Sequence, residues 1–262
     1  MAHALEMVNG EAQMAYRLSK GVPWHGLGVP VSDDMTPTEM MKAAGLDWKV
    51  KKVPSFVDHN GEQIPTGQQS LIRETDGKIL TNVGGNWNPC QNETAFDFFN
   101  DFVKAGDMVM DTAGSINDGK MVFAAADVQD GFTLFGGDEV KGYLLFSNPH
   151  QYGKSINVRF TPVRVVCNNT LTMSLESKAD RAIAVGHRRE FNPDMVKEQL
   201  GIAHEKFAKY KEMAQFIGSR RFDIKDLLNY YNEVFPHTHT PNKVSEVNTK
   251  EEMSRTAQLC LE

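Results

Sequence analysis

The chain has 262 residues, 40% of them hydrophobic and 24% charged, with a formal net charge of −6, as expected for a soluble protein of one large or two modest domains. Its three cysteines lie far apart and form no CxxC or Cys/His cluster, which excludes a disulfide framework and a zinc knuckle and favours a reducing compartment. No apolar run approaches the roughly 20 residues that cross a bilayer, and the N-terminus shows no export signal, so we expect a cytoplasmic protein without a membrane partner.

Residues 1–45 are predicted to form an N-terminal arm and a short helix. Pro23–Gly28 (PWHGLG) holds an aromatic pair in a rigid turn, which is typical of an anchored structural loop and is also compatible with a binding loop. Thr36–Glu39 is a capping box with proline at the first helical position, so a helix should run to Ala44 and stop at Gly45.

Residues 46–186 are predicted to form an α+β core domain. A capped helix should run from Glu93 to Ala105, and Gly61–Gly67 is interpreted as a loop. Short turns between the strands predict antiparallel pairing, with strands at Leu46–Val53, within Gln68–Thr81, and at Met108–Ile116, Lys120–Val128, Phe132–Phe135, Val140–Ser147 and Ile156–Phe160. We therefore expect a curved, mostly antiparallel sheet with packed helices, followed by a C-terminal helical region.

Gly153–Leu175 is a basic stretch without acidic residues, in which a strand is predicted to lead directly into a helix. Alternation with apolar neighbours predicts that Arg159 points outward, and Thr161 with Pro162 predicts a helix start. Arg164 falls on the helix with no carboxylate nearby in sequence, so the junction is a plausible anion site. A core helix with solvated arginines is the alternative.

Residues 187–262 are predicted to form the C-terminal helical region. Apolar residues from Val196 to Ile217 repeat at spacings of four and three, which is typical of a helix that packs on another helix. The partner is either a second helix of the same chain, over Ile224–Phe235, or a neighbouring subunit. The sequence therefore predicts a homo-oligomer as one of two arrangements.

Three motifs resemble one protein family. PVRVVCNNTL from Pro162, PWHGLG from Pro23 and AGLDW from Ala44 are similar to the phage/plasmid-like protein family, called domain of unknown function 932. The resemblance covers nearly the whole chain. It implies a gene carried by phages, prophages and plasmids, and so a protein of the bacterial host cell, but it implies no agreed catalytic residues.

Signatures of known enzyme classes are missing from the sequence. There is no phosphate-binding loop, nucleophile turn, HExxH or dinucleotide fingerprint, so we predict no catalytic residues, no metal ligands and no cofactor. A metal-dependent nuclease is a weaker alternative, in which carboxylates of a two-metal site would come from Asp107, Asp111, Asp118, Asp127 and Asp130.

The charge distribution favours a nucleic-acid partner. Residues 1–140 contain 10 basic and 20 acidic side chains, whereas residues 141–221 contain 14 and 7, a local balance of +7. A basic groove that follows a phosphate backbone, with Tyr152 or Trp87 stacking on unpaired bases, is one explanation, and local ion pairing is the other. The predicted contact residues are Lys141, Tyr152, Lys154, Arg159, Arg164, Arg181, Arg188 and Arg189.

The resulting hypothesis is a phage- or plasmid-encoded protein that binds single-stranded nucleic acid, DNA more than RNA, without sequence preference or turnover. It would act as an oligomer, by analogy with the single-strand annealing proteins of phage recombination. The alternative is a helix-mediated interaction factor that acts on host machinery through protein contacts.

Overall fold

The computed structural model describes residues 4–133, 139–176, 182–200, 225–226 and 228–229, with the backbone alone at 130–133 and 139–141. The chain divides into two units, one of Met1–Thr133 with Gly137–Lys211 and one of Leu134–Gly136 with Glu212–Glu262. All the elements below belong to the first unit. The predicted helical seam of residues 196–217 and its partner segments lie almost entirely outside the described residues.

A seven-stranded sheet forms the centre of the first unit, and all its neighbouring strands pair antiparallel except one outer pair. Its strands are β3 (Met14–Arg17), β4 (Val29–Val31), β8 (Met108–Ile116), β9 (Met121–Thr133), β10 (Glu139–Pro149), β11 (Ile156–Thr161) and β12 (Ile183–Val185). They follow the order β12-β11-β10-β9-β8-β3-β4, with β3 and β4 parallel. Sequential neighbours thus pair in the middle of the sheet, and the N-terminal strands complete one side.

A second sheet has three antiparallel strands in the order β5-β6-β7. These are β5 (Val50–His59), β6 (Glu62–Arg73) and β7 (Ile79–Val83), and a two-stranded ribbon of β1 (Met7–Val8) and β2 (Glu11–Ala12) precedes the large sheet. The protein is thus a mixed α and β protein whose sheets are mostly antiparallel, which confirms the expected class at this level.

Helices and loops cover both faces of the large sheet. The named helices are α1 (Pro37–Ala43), α2 (Asn92–Asp97), α3 (Asn100–Ala105) and α4 (Asn168–Glu176), and residues 193–200 are also helical. On one face, buried rings such as Phe96 and Phe146 join one continuous apolar core. On the other face, Val165 and Leu171 pack on Phe123 and its neighbours. Both sets of alternating side chains in the central strands are therefore buried.

The first helix forms as the capping box predicts. Thr36 accepts a hydrogen bond from the backbone N–H of Glu39, and the Glu39 carboxylate accepts one from the backbone N–H of Thr36. This reciprocal pairing satisfies two N–H groups that a helix start otherwise leaves unpaired. The helix ends at Ala43, and Met40 and Met41 are buried as core residues.

Two predicted boundaries are wrong. The break expected between the predicted strands Lys120–Val128 and Phe132–Phe135 is absent, because β9 continues to Thr133 and pairs there with Glu139 of β10. The helix expected over Glu93–Ala105 is divided into α2 and α3, and between them the Phe99 N–H donates to the Phe96 carbonyl over the shorter, three-residue spacing.

The segment between β11 and α4 also differs from the prediction. The helix expected to begin at Pro162 begins at Asn168. Residues 162–167 instead lie across the sheet as an irregular strap, in which the Val165 carbonyl accepts a hydrogen bond from Thr112 Oγ1 at 2.6 Å. These tertiary hydrogen bonds replace those that a helix would have made.

A protruding hairpin is the main feature that the sequence interpretation missed. The outer part of β5 and β6, residues 54–68, is exposed on both faces for most of its length. We call this segment, residues 54–68, the arm; it is distinct from the N-terminal arm predicted for residues 1–45. Its two strands pair out to His59 and Glu62 around an Asn60-Gly61 turn, where the predicted loop would have begun.

Within the described residues, no helix is long and apolar enough to cross a membrane.

Candidate functional site

A cleft of about 750 Å³ opens beside the arm, where the small sheet meets the loop after β10 and the segment after β12. This volume lies in the range of small-molecule sites. The cleft is lined by neutral polar groups, aromatic rings and one cation: Gln68, Asn82, Asn86, Trp87, Tyr152 and Arg188. The site therefore combines hydrogen-bonding amides, ring faces and a positive charge.

Trp87 forms the floor of the cleft, and its ring stacks on that of His187. Trp87 and His187 lie 3.9 Å apart with their planes 17° from parallel, and both are buried. The backbone N–H of Asn88 donates to the His187 carbonyl at 2.6 Å, so the two segments are joined along their main chains. Burial lowers the pKa of His187, against the opposing effect of the Asn88 and Pro149 carbonyls, which favours a neutral imidazole.

The loop after β10 is attached to the same floor by buried amides. Asn148 Nδ2 donates to the Cys90 carbonyl at 2.9 Å, and His150 Nε2 lies 3.0 Å from Asn92 Oδ1. His150 is fully buried, and burial lowers its pKa to about 3. These contacts fix the start of the loop, and its tip then projects Tyr152 over the cleft.

The rim of the cleft is exposed. Tyr152 has 67% of its surface accessible, Arg188 is exposed, and the Tyr152 N–H lies 3.5 Å from Thr81 Oγ1. A tyrosine ring held at a rim by its backbone offers one face to a flat partner at little entropic cost. The ring of Tyr152 is exposed and that of Trp87 is already stacked on His187, and stacking of Tyr152 on a base stays a prediction.

Gly84 and Gly85 form part of the cleft wall. Neither has a φ in the left-handed region, and a Cβ built at either would meet no atom within 4 Å. The backbone conformation and the packing of the protein therefore do not require glycine at these positions. Lys52 Nζ donates to the Gly85 carbonyl at 2.9 Å and adds a cation beside the wall.

The segments that meet at this cleft contain no carboxylates. Residues 82–92, 148–157 and 183–189 include no aspartate or glutamate. Lys154, Arg188 and Arg189 lie on these segments and are all exposed. Of these three cations, Arg188 lines the cleft, and Lys154 and Arg189 lie one or two positions along the chain from residues that line it.

Arg159 does not point outward, so that expectation is wrong. Only 7% of its surface is accessible, and Nη1 donates to the carbonyls of Ser174 and Leu175 at 2.5 and 3.0 Å. These carbonyls belong to the last turn of α4, which has no helical partners for them and carries partial negative charge. Burial lowers the pKa of Arg159. Arg159 is a cap for α4.

Arg164 is also engaged inside the protein, because a carboxylate distant in sequence lies beside it. Its Nε and Nη2 donate to the two oxygens of Asp111 at 2.8 and 3.2 Å, and its Nη1 donates to the carbonyls of Lys20 and Gly21. The lack of carboxylates nearby in sequence therefore does not leave Arg164 without one in the fold, where Asp111 contacts it. Arg164 attaches the strap to the N-terminal segment.

Asp111 belongs to a buried ion cluster on the face of the large sheet that the strap of residues 162–167 crosses. We use this name for Arg17, Lys20, Asp111, Asp127 and Arg164. Arg17 Nη2 and Lys20 Nζ lie 2.5 and 2.6 Å from Asp127, and Arg17 Nε lies 3.7 Å from Asp111. Asp111 sits where the pairing of β8 with β9 shifts register, between Met110 and Thr112.

The ion cluster changes the pKa of its members and neighbours. Burial raises the pKa of Asp111, and hydrogen bonds from Arg164 oppose this effect. Burial and the two nearby carboxylates raise the pKa of Tyr143 to about 12. Asp111 and Asp127 do converge, as a two-metal nuclease would require, but three cations already pair with them. No group of metal-binding side chains occurs among the described residues.

The remaining predicted residues fall into two groups. Lys154 and Arg189 are exposed close to the cleft in sequence. The side chain of Lys141 and the whole of Arg181 lie outside the part of the chain that the structure describes. The sequence interpretation missed the amides of Gln68, Asn82 and Asn86 and the glycine pair, for which the Gly84-Gly85 doublet directly after a strand is the available signal.

The fold and the site define a class of protein, a mixed α and β domain with mostly antiparallel sheets and an open polar cleft. The chain belongs to the family described as Domain of unknown function (DUF932), whose model matches residues 79–259. No curated protein and no solved structure matches the chain. Two of the family-like motifs are in contact, since His25 Nε2 lies 3.0 Å from the Val166 carbonyl.

Proposed function

We propose that the protein binds single-stranded nucleic acid, DNA in preference to RNA, along the cleft, without sequence preference and without turnover. The observation that carries this proposal is the meeting of three carboxylate-free segments around the exposed Tyr152 and Arg188, with the exposed Lys154 and Arg189 on the same segments. A phosphate chain needs such a surface because each acidic side chain beside it would repel it.

Each part of the cleft has a role in this proposal. The exposed face of Tyr152 stacks on one unpaired base, and Arg188 binds a neighbouring phosphate. Lys154 and Arg189 hold the strand on either side. An unpaired base is needed because a paired base keeps its faces inside the duplex. This requirement explains the preference for a single strand.

The amides of the cleft account for the lack of sequence preference. The amides of Gln68 and Asn86 each carry an acceptor oxygen and two N–H donors, and Asn82 offers its two N–H donors while its Oδ1 accepts a hydrogen bond from Ser70 Oγ at 2.8 Å. Such groups accommodate the edges of different bases. The glycine wall leaves room for the sugar and base to approach the backbone closely.

The test is fluorescence anisotropy of a labelled single-stranded oligonucleotide at several salt concentrations, against a duplex and an RNA of the same sequence. With three cations on phosphates, the logarithm of the binding constant should fall against the logarithm of salt with a slope of about −2. Arg188→Glu with Arg189→Glu should abolish binding, while the matched reversal of two exposed lysines elsewhere, Lys42→Glu with Lys104→Glu, should keep it. Equal binding by both double variants would refute the proposal.

A further inference from the structure

The arm carries exposed apolar side chains that nothing in the described part of the chain covers. Phe56, Val57 and Ile64 are 52%, 55% and 45% exposed. Val57 and Ile64 are direct cross-strand partners, so they form one apolar pair on one face, and Phe56 pairs with Pro65. A two-stranded hairpin with no sheet or helix beneath it is only marginally stable in water. A binding partner that covers these side chains would therefore stabilise the arm.

The charges of the arm are entirely negative. Residues 54–68 contain Asp58 and Glu62 and no lysine or arginine. Both carboxylates lie beside the Asn60-Gly61 turn, at the tip, and Asp58 Oδ1 accepts a hydrogen bond from the Gly61 N–H at 3.1 Å. The five residue steps from Pro54 to His59 place the tip roughly 17 Å beyond the start of the arm.

The face around the cleft is complementary to the arm in charge and shape. The cleft is concave and lined by aromatic rings and Arg188, the segments that form it contain no carboxylates, and Lys154 and Arg189 are further exposed cations on those segments. We call the cleft together with Lys154, Arg188 and Arg189 the basic face. An acidic tip with apolar flanks matches a basic rim with rings inside it, which is the complementarity that selects partners in protein association.

We propose that the arm of one copy of this protein docks on the basic face of a second copy. The contact joins two neighbouring surfaces of the chain, which share Gln68 at the base of the arm. Two copies that exchange arms form a closed dimer, whereas copies that each pass the arm to a different neighbour add until a ring closes. This inference stands independently of nucleic-acid binding, since it concerns the protein alone.

The test uses two variants, each lacking one half of the contact. The arm variant is Val57→Thr, Ile64→Thr and Glu62→Lys, in which threonine keeps the β-branched side chains that favour strands. The face variant is Arg188→Glu with Arg189→Glu, and Lys42→Glu with Lys104→Glu is the control. Mass is measured by sedimentation over a range of concentrations with nucleic-acid-free protein, and thermal unfolding checks that each variant is folded.

We expect the wild-type protein and the control to form assemblies whose mass rises with concentration and falls with salt. Each variant alone should be a monomer. An equal mixture of the two variants should form a dimer and nothing larger, because the arm of the face variant fits the face of the arm variant. A monomeric wild type, a variant that still assembles alone, or a mixture that stays monomeric would each overturn the inference.

Discussion

The buried ion cluster and the basic face contain similar side chains, but those side chains have different partners. In the ion cluster, Arg17, Lys20 and Arg164 contact two carboxylates and several carbonyls. On the basic face, Arg188 and Arg189 are exposed on segments without carboxylates. A cation that already has protein partners stabilises a fold, whereas an exposed cation on an acid-free surface can bind something else. Basic residues therefore indicate a binding surface only once their partners are known.

The largest effect should come from breaking the ion cluster. Arg164→Met leaves Asp111 buried with only Arg17 nearby, and removing one partner of a buried ion pair costs about 3–5 kcal/mol. The free energy of unfolding, measured in denaturant, should fall by this amount. Arg189→Met, at an exposed position, should change it by less than about 0.5 kcal/mol. Wild-type stability combined with lost oligonucleotide binding in Arg164→Met would instead place Arg164 on the binding surface.

Lowering the pH should have opposite effects on the stability contributed by the two regions, and the buried His150 near the cleft should cause the loss. The pKa of His150 falls from 6.5 to about 3 on folding, so below pH 6.5 the unfolded chain binds a proton that the folded protein does not. Stability should then fall by about 1.4 kcal/mol per pH unit as the pH drops toward 3. The pKa of Asp111 is raised, so its protonation has the opposite sign and favours the folded state.

The variant that isolates this effect is His150→Gln, which cannot take up the proton. Its free energy of unfolding should decline less steeply than that of the wild type below pH 6.5. The difference between the two slopes should correspond to about one bound proton per molecule. Chemical denaturation at a series of pH values measures both slopes. Identical slopes would show that His150 does not contribute to acid sensitivity.

A smaller effect is expected for the tyrosine at the rim. Tyr152→Ala should weaken binding of a single-stranded oligonucleotide by about 1–3 kcal/mol, because base stacking on an aromatic ring is lost. Tyr152→Phe keeps the ring and should bind nearly as well. Neither variant should change thermal stability appreciably, since the side chain is 67% exposed. If phenylalanine were as damaging as alanine, the hydroxyl group rather than the ring would make the contact.

The smallest effect should come from the glycine wall. Gly85→Ala should raise stability by about 0.4–1 kcal/mol, because alanine restricts the unfolded chain and meets no atom in the folded protein. The same variant should bind oligonucleotides more weakly, since its methyl group enters the cleft. Gly106→Ala is the control, and its φ of 81° at the end of α3 predicts a loss of stability instead. Unchanged affinity in Gly85→Ala would mean that no ligand approaches this wall closely.

Local sequence signals predicted some elements of this fold well. The capping box at Thr36 and the antiparallel pairing of β8 to β11 follow from hydrogen-bond geometry and turn lengths within a few residues. The Asn60-Gly61 dipeptide is a strong hairpin signal, with Val57 and Ile64 as the nearest apolar residues on its two sides, so the arm could have been predicted. Its exposure could not, because exposure depends on what the rest of the chain fails to cover.

The environment of the arginines could not be predicted from the sequence. Alternation in β11 separates two faces but does not say that α4 covers the second, which is why Arg159 is buried. Asp111 lies 53 positions before Arg164 and meets it only through the tertiary fold. The cleft amides come from separate segments for the same reason, and only their carboxylate-free surroundings were visible in the sequence.

The pairing of β3 with β8 has a practical consequence for anyone who shortens this protein. The family match begins at residue 79, within β7, whereas β3 pairs with β8 and supplies Arg17 to the ion cluster. A fragment cut at that boundary would expose β8, a nine-residue strand of mostly buried side chains, as a new sheet edge. Such an edge pairs readily with other chains, so the fragment should precipitate on expression. Expression boundaries for this protein should therefore include the N-terminal strands.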